Sequence, residues 1–284
     1  MFIIIGWVMV IGVILGGFIM AGGHLVVLMQ PVEVLIIFGA VIGATVAGND
    51  MVKLKAFGGG IGQAFKGSRY SKQMYMETLG LLFNLFAKAR KDGLMSIEGD
   101  IEEPENSEIF KKAPKVAADH HATDFIADYM RLMISSSLDV HQIDNLMDVE
   151  IETHHHEAAI PGNMMAKIAD GLPAFGIVAA VLGVVHTMES VGIPPAELGK
   201  LIAAALVGTF LGILAAYGFV SPLAKVMETQ GEESTQYFNC LKATLIAFMN
   251  GYPPQVAVEF GRKTLPSHVR PGFLEMEEFI KSNK

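Results

Sequence analysis

The chain has 284 residues, 51% of them hydrophobic and only 18% charged, whereas ordinary soluble domains carry about 25% charged residues. Its 21 basic and 29 acidic residues leave a formal charge of −8, which argues against nucleic acid as a partner. Cys240 is the sole cysteine, so no internal disulfide can form, and a reducing cytoplasmic setting fits.

A bilayer core about 30 Å thick needs about 20 apolar residues in a helix. Residues 2–22 (FIIIGWVMVIGVILGGFIMAG) meet that test without a charge. The run is too long for a signal-peptide core and no basic residue precedes it, so a retained helix is predicted. A second run follows Glu33, from Val34 to Gly48, and residues 25–29 could extend it around Pro31. A third runs from about Gly171 to Met188 and a fourth from about Leu201 to Pro222. None of the four runs contains Asp, Glu, Lys or Arg, so if the chain conducts protons, the carboxylate that carries them is expected from a partner's helix. Gly12/Gly16, Gly39/Gly43 and Gly208/Gly212 each place two small residues one turn apart, which predicts close packing in a bundle or oligomer.

Thirteen Lys and Arg fall between Asn49 and Asp170 and seven after Pro222; the remaining one is Lys200. Positive residues stay inside, so the long connection, the tail and both termini are predicted to be cytoplasmic. The turns around 23–33 and 189–200 then face the other side. The predicted organisation is a membrane pair at 1–48, a cytoplasmic helical domain at 49–170, a second membrane pair at 171–222 and a cytoplasmic helical tail at 223–284. The fold class is therefore an all-α membrane protein with four transmembrane helices.

Outside the membrane, Tyr75, Leu79, Leu82, Phe83 and Phe86 follow helical spacing, and Lys91-Asp92-Gly93 ends that helix. Phe125, Tyr129 and Leu132 mark another amphipathic helix in a stretch reaching about His156, and Phe238, Leu241, Leu245 and Phe248 mark one after the fourth span. Residues 99–115 form an acidic, proline-bearing loop.

Catalytic chemistry finds little support. His154, His155 and His156 are adjacent, so on a helix they point in different directions and cannot form one tetrahedral metal site. A solvated face is the expected role of the histidines, and no metal or cofactor is predicted. The cluster Gly58-Gly59-Gly60-Ile61-Gly62 lacks the following Lys-Ser/Thr of a phosphate loop, so a flexible or packed segment is expected. Pro173 and Pro222 sit at one level, near the cytoplasmic ends of the third and fourth spans, where each removes a helical hydrogen bond and can act as a hinge. For Thr209 the residues alone favour a hydroxyl bonded back to its own helix.

The stretches LPAFGIVAAVLGVVHTMES (172–190), PAELGKLIAAALVGTFLGILAAYGFVSPLA (195–224), NGYPPQVAVEFGRKTL (250–265) and ARKDGLMSIEGDIEEPENSEIF (89–110) resemble the MotA family of bacterial flagellar stator subunits, over nearly the whole chain. The resemblance implies a bacterial inner-membrane protein that assembles, five copies around two partner helices, with a peptidoglycan-anchored MotB-type subunit whose aspartate carries the ion. It implies torque on the rotor protein FliG, with Arg90 and Glu98, and less strongly Glu150, as rotor-facing charges. Pro173 and Pro222 match prolines linked to the conformational change, and Thr209 a hydroxyl lining the ion path. Sodium-driven relatives carry threonine where this chain has Ala180 and Gly208. A sodium ion needs several oxygen ligands and a proton only an acceptor, so protons are the expected ion. The rival readings are an ExbB- or TolQ-like energiser, disfavoured by four spans rather than three, a non-conducting membrane scaffold, and a membrane metallohydrolase using the histidines.

Overall fold

The computed structural model describes residues 2–135, 138–189, 192 and 194–283. Among these the chain is helical throughout, with no strand. The helices are α1 (Phe2–Met20), α2 (Pro31–Ala47), α3 (Met51–Lys66), α4 (Lys72–Asp92), α5 (Glu98–Glu102), α6 (Glu108–Lys111), α7 (Pro114–Ala117), α8 (His120–Ser135), α9 (Val140–Glu189), α10 (Pro195–Ile213), α11 (Ser221–Met249), α12 (Pro254–Thr264) and α13 (Phe273–Ser282). A π-helical segment, Leu214–Val220, joins α10 to α11.

Four stretches are long and apolar enough to cross a membrane: α1, Leu25–Ala47, and the apolar parts of α9 and of the helical run from Pro195 to Met249. The chain is a multi-pass membrane protein. Of the predicted turn at 189–200, residues 190, 191 and 193 lie outside the described residues.

The chain divides into two compact units, each with its own core. The first comprises Met1–Gly67 and Ala159–Gln230. In it Ile37 and Val41 of α2 pack with Leu172 and Ala179 of α9 and with Ala216 of the π segment. A second cluster gathers Ala64, Met165, Leu223, Ala224 and Met227, flanked by Trp7 and Phe57. No residue of α1 is buried, and Val8 and Val13 are 64% and 73% exposed, as suits a helix that meets lipid or another chain. Asp50 caps α3 by accepting a hydrogen bond from the Lys53 backbone N–H at 2.9 Å. The glycine cluster is helical and lies inside α3; a Cβ on Gly60 would fall 2.5 Å from Pro161 Cβ, so that glycine is a packing contact rather than a flexible joint.

The second unit, Ser68–Ala158 with Gly231–Lys284, is organised on α4, most of whose apolar positions are buried along with Glu77 and Thr78. Phe86 stacks on Phe248 at 4.1 Å between ring centroids, and Phe125 meets Phe238 edge-on at 5.2 Å. Buried Thr78 and Tyr237 share a hydrogen bond of 2.8 Å. Gly93, at φ +88, stops α4 in a conformation that side-chain-bearing residues rarely adopt. The acidic loop is ordered into α5, α6 and α7: Ser107 caps α6, and Pro114 starts α7, whose Lys115 N–H donates to the buried Glu77 carboxylate at 2.9 Å. The expected loop is thus a run of short helices, started by Ser107 and Pro114.

Candidate functional site

Within the first unit α2, α9 and α10 meet through small residues. A Cβ on Gly212 would fall 2.7 Å from the Leu172 carbonyl oxygen and 2.9 Å from Gly176 Cα. A Cβ on Gly176 would fall 3.0 Å from the Gly208 carbonyl oxygen, and one on Gly183 2.8 Å from Ala205 Cβ. The predicted Gly208/Gly212 pair thus does bring two backbones together, but its glycine counterpart on α9 is Gly176, and Gly183 faces Ala205 instead; the spacing rule passed over both. The other two pairs do not pack within the chain: a Cβ on Gly12, Gly16, Gly39 or Gly43 would meet nothing within 4 Å among the described residues.

Ala180 and Gly208, singled out for ion choice, abut at this crossing: a Cβ on Gly208 would lie 3.2 Å from the Ala180 backbone nitrogen and 3.3 Å from Ala179 Cβ. Thr209 is the next residue along α10 and half-buried. Thr45, Thr187 and Thr244 donate to the carbonyl four residues earlier, at 2.7–2.8 Å. Thr209 forms no such bond among the described residues, so its hydroxyl is not committed to its own helix.

One expectation fails here. The spans do carry a carboxylate: Glu33 lies in the first turn of α2, because Pro31, with its fixed φ and no N–H, starts the helix at N1 rather than bounding a turn. Glu33 is only 8% exposed, and its Oε2 is buried without a hydrogen-bond partner. The carboxyl reaches the crossing, where a Cβ on Gly208 would fall 2.8 Å from Oε2 and one on Gly183 3.5 Å from Oε1.

The two prolines differ in setting. Pro173 is inside α9, together with Pro161, and leaves the Ala169 carbonyl without its helical donor. Pro222 is the second residue of α11 and exposed, directly after the π segment. A π bulge beside a proline is a local departure from α geometry, of the kind that absorbs bending.

In the second unit, Arg90 lies in the last turn of α4 and Glu98 begins α5; both are exposed. Their neighbours are paired: Lys88 with Asp100 at 2.7 Å, and Arg131 with both Glu102 and Asp128 at 2.6 Å. Neither Arg90 nor Glu98 has an ion pair or side-chain hydrogen bond among the described residues. Arg90 also borders a groove of about 500 Å³ lined by Leu94, Met133, Phe248 and Tyr252. Glu150 is on α9 and accepts a 2.6 Å hydrogen bond from the buried Tyr129 hydroxyl, which burial and that carboxylate hold well above the ordinary phenol value.

The three adjacent histidines have three different neighbours. His154 bonds Ser234 Oγ at 2.7 Å and packs on Phe238, His155 bonds Thr235 Oγ1 at 2.9 Å, and His156 lies 3.8 Å from Glu152. Among the described residues no three His, Cys, Asp or Glu side chains converge as metal ligands. Burial pushes the Cys240 thiol up to about 12, which leaves it a neutral core residue.

Two family descriptions match this chain: Motility protein A N-terminal over residues 4–93, and the MotA/TolQ/ExbB proton channel family over 117–239. The chain is 52% identical to Motility protein A of Salmonella typhimurium over 282 residues, 99% of this chain and 96% of that protein. The chain belongs to the MotA family. It is a flagellar stator subunit of the MotA/TolQ/ExbB channel class, a class of ion channels rather than of enzymes. The fold agrees with solved MotAB structures. That from C. jejuni superposes with a TM-score of 0.77 at 20% identity, covering 93% of this chain and 95% of that one. The flagellar MotAB stator complex of Bacillus subtilis gives 0.75 at 20% identity, covering 94% and 96%. With four candidate spans in a MotA-family chain, the three-span energisers and the non-conducting scaffold lose their footing as readings.

Proposed function

We propose that this MotA-family chain couples proton flow, together with a MotB-type partner, to torque on the rotor protein FliG. The observation that carries the ion choice is the crossing of α9 and α10. The positions where a sodium path places hydroxyls are Ala180 and Gly208, and Thr209 supplies the one hydroxyl beside them. One hydroxyl and an acceptor suit a proton; a sodium ion requires several oxygens. In this reading the chain sits in the bacterial inner membrane with both termini and the second unit cytoplasmic. Five copies surround two partner helices, and the partner's aspartate carries the proton beside Thr209.

Each proton moved across 100 mV supplies about 2.3 kcal/mol, enough to shift a packed crossing between two arrangements at each step. Pro173 within α9 and the π segment before Pro222 are the joints of that movement. Arg90 and Glu98 present the charges that engage the rotor, and Glu150 adds a weaker contribution. Exposed unpaired charges favour steering and rapid release over tight binding, which suits a surface that engages repeatedly.

The test is proton flux into vesicles that hold either this chain alone or the chain with a MotB-type partner freed of its plug. The expected result is flux only with the partner, unaffected by replacing external potassium with sodium. Flux of equal size from the chain alone would remove the partner's aspartate from the mechanism.

A further inference from the structure

Glu33 is the one carboxylate in the described spans, and nothing so far gives it a task. Its side chain is more than nine-tenths buried, and its Oε2 has no hydrogen-bond partner. It lies in the first turn of α2, whose N-terminal dipole favours a negative charge. That help is smaller than the cost of holding an unpaired carboxylate away from water, so the group is stable only when something cationic neutralises it. No Lys, Arg or His pairs with it among the described residues, so the available cation is the one that passes. The cradle is shaped for an oxygen rather than for a methyl group. A Cβ at Gly208 would fall 2.8 Å from Oε2, and Gly183 leaves the matching space on α9. A methyl at position 208 would contest the space beside the Glu33 carboxyl, and would also meet the Ala180 backbone nitrogen at 3.2 Å and Ala179 Cβ at 3.3 Å. Thr209 is the next residue of α10.

We propose that Glu33 is a proton-binding station contributed by this chain, on the side of the path away from the cytoplasm and ahead of the partner's aspartate. The charged carboxylate takes a proton from hydronium, leaving water and a neutral acid. The acid then releases the proton to a water or to the partner's carboxylate and returns to its charged form. No electrons are transferred, and one proton enters for each that leaves. The first turn of α2 and the two glycines let the carboxyl swing without displacing backbone. Intramembrane carboxylates placed toward a bundle interior mark ion pathways in general.

The inference rests on the proton-driven reading above, and its test separates the two. Full-length chain and its MotB-type partner are expressed in cells without stators, and swimming speed and purified complex are followed for Glu33→Gln, Glu33→Asp and Gly208→Ala. Glu33→Gln keeps the shape and cannot exchange a proton; it is expected to lower speed by about tenfold or more with the complex still assembled. Glu33→Asp, which keeps a titratable group, should recover a substantial part. In the purified complex a protonated-carboxyl infrared band, exchangeable in heavy water, should vanish in Glu33→Gln and shift in Gly208→Ala, whose new methyl meets Oε2. A structural carboxyl alone would give Glu33→Asp and Glu33→Gln the same loss and no shifted band. Wild-type speed in Glu33→Gln, or no band that responds to either change, overturns the inference while leaving the proton-driven reading intact. A wild-type complex that swims without protonophore sensitivity overturns both.

Discussion

Arg90 and Glu98 are set apart by their surroundings: Lys88, Asp100, Glu102 and Arg131 are tied into pairs, and these two are not. The sequence offers no way to prefer them over a dozen other charges, because pairing is decided by where α4, α5 and α8 bring side chains together. An exposed charge off such a network contributes little to stability, about 0.5 kcal/mol at most. Arg90→Glu is therefore expected to leave the membrane level of the protein unchanged and to reduce motor torque, with recovery when a rotor acid is reversed in turn. Undiminished torque in the single variant would dismiss the contact. His154 behaves oppositely. It is half-buried against Phe238, and that burial lowers its imidazole below the ordinary value, with His121 opposing and Glu157 and Asp119 favouring its charge. A folded value below the unfolded one means that the unfolded chain binds more protons in the window just below about pH 6.5. Stability should thus be full above that value and decline as pH falls through the window. Thermal unfolding of the purified chain at about pH 7.5 and about pH 5.5 should show this decline, and His154→Gln should remove that part of it.

At the scale of elements, the four apolar runs, the end of α4 at Gly93 and the aromatic stripe around Phe86 were all legible, because each follows from periodicity and local caps. Where α2 begins was not. The sequence leaves its start open around Pro31, and only with Pro31 at N1 does Glu33 fall inside the helix and the bundle. The π segment at Leu214–Val220 was not legible either, since residue composition there matches a plain membrane helix. Likewise Gly176 and Gly183 fall outside the four-residue glycine rule; only once α9 and α10 cross does Gly176 partner Gly208 and Gly212, and Gly183 partner Ala205. That crossing predicts a contrast. Gly176→Val, which drives a branched side chain into the Gly208 carbonyl, should abolish motility and lower the membrane level. Gly12→Ala, which meets nothing in the chain, should leave the chain's own stability unaltered. Pro173→Ala is a finer probe, because it restores the helical hydrogen bond that proline removes. Assembly with the partner should persist while rotation slows, and normal rotation would discard the joint at Pro173.

For the whole molecule, sequence and structure agree on an all-helical membrane protein with four stretches long and apolar enough to cross a bilayer. Motility protein A membership explains why this much was readable: the stretches 172–190 and 195–224 supply both the crossing and its family signature. In the proposed proton path Thr209, Ala180 and Gly208 together offer one hydroxyl and, with Glu33, one carboxyl, which is why the proposal gives the partner's aspartate the carrying role. The most direct test is swimming speed in stator-less cells that express this chain with its MotB-type partner, measured across external sodium and with a protonophore. Speed that ignores sodium and falls to zero with the protonophore is the predicted result. Speed that rises with sodium and survives the protonophore would contradict the proton-driven account.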